Sequence, residues 1–166
     1  MKRTILFIAL FTISFTSFSQ TGVRVYGYVR EVTPGIVPHG NRENGKAIEQ
    51  VKSTSNYLVY LTSPSKYPAV VVEMWINGQR FSTQSEWIAK TPVILPNNTG
   101  KSTTVVGKTS NKVQQVVPIT FTQGKEFSLA RKKAAVNELV VVYRQNGKYY
   151  SATLKKLTKL EPQFSE

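Results

Sequence analysis

The chain has 166 residues, 22 Lys and Arg against nine acidic residues, and a formal net charge of +13. All nine acids are Glu, Cys and Asp are absent, and His39 is the single histidine. That inventory excludes a disulfide scaffold, thiolate or histidine-rich metal centres, Asp-based calcium loops and the usual Ser-His-Asp arrangement, so neither a cofactor nor a metal is expected.

The first nineteen residues have the layout of an export signal: Lys2 and Arg3, an apolar run from Ile5 to Phe15 broken only by Thr12 and Ser14, then small Ser17 and Ser19. The run is shorter than the roughly 18 to 20 residues of a spanning helix, which predicts cleavage after Ser19 and release to the periplasm or the cell exterior. Without Cys there is no lipobox. Removing Lys2 and Arg3 leaves 20 cations against nine Glu, a charge of +11 on residues 20–166, which are expected to form one domain.

Thr21 to Arg30, TGVRVYGYVR, alternates as a strand, with Val23, Val25, Gly27 and Val29 on one side and Arg24, Tyr26, Tyr28 and Arg30 on the other. Residues 33–56 are rich in Pro, Gly, Asn and Ser and predict a long connection holding His39: a functional loop, a disordered excursion or in part a short helix around Ala47 to Lys52. Asn56 to Thr62 reads as the second strand. AVVVEMWI, Asn77-Gly78 and QRFSTQSEWI then form a type I′ hairpin pattern, pairing Ile76 with Gln79, Trp75 with Arg80 and Met74 with Phe81. Val70, Val72, Met74, Ile76 and Phe81 are assigned to the core, and Trp87 falls on their face. Pro92–Leu95 and Thr103–Val106 predict a shorter pair, and Val113–Thr122 a strand that Pro118 confines to an edge or bulge. A short helix is expected within Gly124–Ala135. A second Asn-Gly hairpin, Glu138 to Leu154, sets Tyr143, Val141 and Leu139 opposite Tyr150, Ala152 and Leu154. Order is expected to stop near Pro162, leaving a tail from about residue 161.

Seven to nine short strands with little helix predict an all-β, antiparallel two-sheet β-sandwich, immunoglobulin-like in the broad architectural sense but lacking the Cys and Trp spacing of a true immunoglobulin domain.

No catalytic constellation emerges. Gly100-Lys101-Ser102 ends like a phosphate loop, but Leu95 stands where the motif needs Gly and no helix follows, so nucleotide is not expected. Asn97-Asn98-Thr99 matches a glycosylation sequon inside a turn. Glu73 and Glu86 are the best carboxylate pair, but strand rise sets them roughly 13 Å apart, too far for glycoside hydrolysis, and they read as solvated. His39 reads as an exposed loop residue.

Three binding candidates remain: the 33–56 loop, the face around Trp75 and Arg80, and the basic C-terminal third. Trp75 opposite Arg80, extended by Tyr26, Tyr28 and Arg30, offers a stacking or cation–π platform. Arg131, Lys132 and Lys133, with Lys155, Lys156 and Lys159 further on, form a basic cluster suited to phosphates or anionic lipid headgroups. The expectation is a non-enzymatic exported binding or interaction module of the bacterial envelope, with an envelope protein, anionic glycan or lipid as partner. The alternatives are an enzyme acting on envelope polymers and a structural subunit joined by edge strands. Intracellular nucleic acid is disfavoured by the export signal.

Overall fold

The computed structural model describes residues 22–34, 53–97, 100–121 and 128–165. The export signal, most of the 33–56 segment with His39 and the alternatives for it, a short helix near 47–52 among them, and part of the sequon lie outside the described residues. The described chain runs β1 (Arg24–Pro34), β2 (Thr54–Ser63), β3 (Val70–Ile76), β4 (Gln79–Ile88), β5 (Val93–Pro96), β6 (Ser102–Val106), β7 (Lys112–Phe121), α1 (Ser128–Ala134), β8 (Leu139–Gln145), β9 (Lys148–Leu154), β10 (Thr158–Lys159) and β11 (Gln163–Ser165). The all-β class is borne out, as one curled sheet ordered β10-β1-β2-β7-β4-β3-β8-β9, with β11 also on β1, and a separate two-strand sheet of β5 and β6.

Alternation along each strand explains the curl. Val59, Leu61, Met74, Ile76, Val116, Leu139, Val141 and Tyr143 turn to one face, and the sheet wraps that face inward until they are fully buried. Closure brings β1 against β9. Gly27 leaves room for this approach: a Cβ at this position would lie 2.6 Å from Leu157 Cδ2, 2.7 Å from Leu139 Cδ2 and 3.0 Å from Leu154 Cδ1, so these side chains would have to move.

Both Asn-Gly turns form as the sequence dictates, with φ of 49° at Asn77, 77° at Gly78, 51° at Asn146 and 74° at Gly147, and the expected registers hold on both hairpins. One face assignment is corrected. The register against β8 shifts between Val71 and Glu73, and this irregularity reverses which residues face inward. Val70 and Val72, expected in the core, are 52% and 39% exposed, whereas Val71 packs against the core ahead of Met74 and Ile76.

The convex face is covered in two places. Over β3 and β8, Ala130 and Ala134, one helical turn apart on α1, pack on Trp75, Val140 and Val142. Arg131, Lys132 and Lys133 occupy the last turn of α1, where cations suit the helix dipole, and Asn137 Nδ2 donates to the Lys133 carbonyl at 2.8 Å. Over β2 and β7, the β5–β6 hairpin buries Val105 and Val106 against Tyr60 and Val113. Beyond Pro162 the chain continues as β11, pairing in parallel with Val32–Pro34 along the edge of β1.

Candidate binding surface

The candidate residues read from the sequence fall in three separate places. Trp75 lies opposite Arg80 in register, as expected, but the residue is only 5% exposed because α1 covers it. Glu73, expected to be solvated, is 3% exposed and accepts from Trp75 Nε1 at 3.0 Å and from Arg80 Nε at 2.6 Å. These three side chains are a buried polar cluster that fixes α1 on β3, and no flat aromatic face is open there.

Tyr26, Tyr28 and Arg30 share the convex face of β1, with β2, β7 and β4 between them and β3, so they do not extend the Trp75 cluster. The Tyr28 hydroxyl donates to the Val105 carbonyl at 2.6 Å and ties the β5–β6 hairpin to β1. Burial, and then the neighbouring Tyr26, push the Tyr28 phenol above its ordinary value of 10.0. The Tyr60 phenol is also pushed up, first by burial and then by Tyr28, while the charge of Arg30 opposes the rise. Arg30 is itself buried at 7% exposure, reaching Gln163 Oε1 at 3.0 Å and the Pro96 carbonyl at 3.4 Å.

The third place is α1. Arg131 and Lys132 are exposed, and Lys133 Nζ donates to Ser151 Oγ at 2.6 Å, so its charge is held against β9. Past the helix, Asn77, Gly78, Val136, Asn137, Glu138 and Lys155 line an open groove of about 340 Å³. Glu138 accepts the Leu157 amide there at 2.7 Å and is part of the backbone framework. Among the described residues no group of His, Cys, Asp and Glu is arranged to hold a metal ion.

The strand directions gather a further surface that the sequence reading did not single out. β2, β4 and β8 end, and β1, β3, β7 and β9 begin, at one end of the sheet. Arg24, Lys66, Lys90, Lys108, Lys112, Arg144 and Lys148 all fall at this end and all are exposed. The carboxylate nearest to it in the described strands, Glu86, is on the other face of β4 from Trp87.

Three exposed aromatic rings, Trp87, Tyr67 and Tyr149, stand among these cations, and two of them carry a lysine ammonium. Trp87 is on the concave face with Phe81, as read from the sequence, yet it is 50% exposed and therefore not core. β3 and β4 pair only over Met74–Ile76 and Gln79–Phe81; beyond that β4 stays with β7 and β3 with β8, leaving the sheet open beside Trp87. Lys112 Nζ sits 5.7 Å from the centre of the Trp87 ring. Tyr67, 44% exposed, carries Lys66 Nζ 5.3 Å from its ring centre. Gln114 Nε2 donates to the Ala69 carbonyl at 2.9 Å and Gln145 Nε2 to the Tyr67 carbonyl, so buried amides from β7 and β8 hold the 64–69 turn in place.

No family model, curated protein or solved structure matches this chain. A half-exposed ring with an ammonium group above it offers an apolar face and a positive charge within one ligand's span, each exposed cation–π contact contributing about 0.5–1 kcal/mol.

Proposed function

We propose that the protein is an exported, non-enzymatic binding module of the bacterial envelope, periplasmic or outside the cell, and that it binds an acidic glycan at the Trp87–Tyr67 end of the sheet. The observation that carries this reading is the pairing of two exposed rings with a lysine, Trp87 with Lys112 and Tyr67 with Lys66, within an end populated by cations. Sugar rings stack on flat aromatic faces, and uronate carboxylates pair with ammonium groups. The +11 charge of residues 20–166 adds long-range attraction that salt screens over about 10 Å. The short β3–β4 pairing also supports reading the curled sheet as two facing layers, β10-β1-β2-β7-β4 and β3-β8-β9, the sandwich expected from the sequence.

A test is to titrate the protein with oligogalacturonate, its neutral reduced counterpart and a polyphosphate, following indole fluorescence. Because Trp75 is covered by α1, a change in emission reports on Trp87. Saturable quenching by the uronate oligomer, weak with the neutral one and diminishing with salt, is expected. Equal response to polyphosphate would replace the glycan with a general polyanion, and no indole response to any of them would remove this surface as the working site.

A further inference from the structure

Arg30 is a buried guanidinium that meets no carboxylate among the described residues. Its two acceptors, Gln163 Oε1 and the Pro96 carbonyl, are neutral, and Nε is buried with no acceptor. Taking a cation out of water costs several kcal/mol unless opposite charge or a full set of hydrogen bonds offsets it. Glu73, the buried carboxylate among the described residues, is committed to Arg80 and Trp75 on another part of the sheet. Replacing a buried charged group by an apolar side chain of similar volume is often neutral for stability, so the retained charge of Arg30 points to a use other than folding.

The unfilled donors have a direction. Nε and Nη2 form the side-on fork of a guanidinium, the geometry that grips two oxygens of a carboxylate or phosphate. In this fork Nε has no acceptor and Nη2 has only the 3.4 Å approach to Pro96. The residue after Pro96 is Asn97, whose Oδ1 is likewise buried without a partner while Nδ2 donates to Thr103 Oγ1 at 3.1 Å. A hydroxyl both donates and accepts. Turning the Asn97 amide over therefore keeps the Thr103 contact and offers Nδ2 as a further donor.

We propose that Arg30, assisted by Asn97, is a binding site for an oxyanion, carboxylate or phosphate, held between the end of β5 and the edge of β1. It is independent of the Trp87 surface, since Arg30 lies six residues along β1 from Arg24, about 20 Å at strand rise. The bound anion neutralises the guanidinium and joins the β5–β6 hairpin to β1 and β11, so binding and the ordering of these three elements are coupled.

The test is denaturant unfolding of the protein in inorganic phosphate, in acetate and in chloride at matched ionic strength. Once the site is saturated, the folding equilibrium constant is expected to rise about tenfold for each tenfold increase in the preferred anion. Arg30→Met, which keeps the volume and removes the charge, is expected to fold and to lose that dependence. Arg30→Lys, with charge but no fork, is expected to require at least tenfold more anion. Lys112→Met is expected to retain the full response. Whichever of phosphate and acetate acts at lower concentration identifies the chemistry of the ligand. Equal anion dependence in the unsubstituted protein and Arg30→Met would overturn the proposal, because the effect would then belong to net charge or to general salt action. So would the absence of any dependence beyond that of chloride.

Discussion

Gly27→Ala tests how the sheet closes. The added methyl group would stand 2.6 Å, 2.7 Å and 3.0 Å from the nearest carbons of Leu157, Leu139 and Leu154, inside the 3.5–4.0 Å of a favourable carbon contact. Leu side chains can turn, but Leu139 is fully buried, and displacing three of them together is overpacking that costs about 1–3 kcal/mol. Restricting the unfolded chain returns about 0.4–1 kcal/mol. The net expectation is a loss of about 1–2 kcal/mol, or roughly 3–6 °C in Tm for a domain of this size. Urea unfolding followed by circular dichroism measures it. Leu157→Ala in the Gly27→Ala background should cost less than Leu157→Ala alone by at least about 0.5 kcal/mol, since the cavity receives the new methyl group. A Gly27→Ala protein as stable as its parent, or strict additivity in the double variant, would refute the close approach of β1 to β8 and β9.

Three further outcomes follow from the same packing. Glu73→Ala removes the acceptor shared by Trp75 and Arg80 and should destabilise by about 3 kcal/mol in urea unfolding, the low end for breaking a buried ion pair. Trp75→Ala should cost about 3–5 kcal/mol by emptying the space under α1, whereas Trp87→Ala, half exposed, should cost no more than about 1 kcal/mol by the same assay. For Tyr28 and Tyr60 the folded phenols titrate above the unfolded value of 10.0, so the neutral form is preferred in the fold. Their contribution is fully present below pH 10.0 and is lost as pH rises through the higher folded values, which predicts falling stability and late tyrosinate absorbance in alkaline titration.

How far the fold was legible depended on the range of the interaction. The Asn77-Gly78 and Asn146-Gly147 hairpins were readable, registers included, because positive φ at two adjacent residues is a local requirement that few residue types meet. The irregularity between Val71 and Glu73 was not readable, because in AVVVEMW a run of valines fits either face equally well. The cover on Trp75 comes from Ala130 and Ala134, more than fifty residues downstream, and no spacing rule links them. Glu73 reads as a solvated acid for the same reason: nothing in its local spacing shows that it accepts from the buried Trp75 indole and from Arg80 across the hairpin. Alternation along β4 puts Trp87 on the concave face, but its exposure follows from where β3 leaves β4, which is a property of the whole sheet. The cations at that end are spread from Arg24 to Lys148 and gather only when the strand directions are known. A signal was present in the turn itself, where Lys66 precedes Tyr67, but a Lys-Tyr pair in a turn does not by itself distinguish a site from a solvated surface.

The most direct test of the proposed function compares two double variants of equal charge. Lys66→Ala with Lys112→Ala removes the ammonium groups above Tyr67 and Trp87, and Lys132→Ala with Lys155→Ala removes the same charge from the opposite end. Affinity for oligogalacturonate, measured by calorimetry at fixed salt, should drop more than tenfold in the first pair and no more than about twofold in the second. Equal losses in the two would mean that net charge alone attracts the glycan, and would contradict a site built from Trp87 and Tyr67.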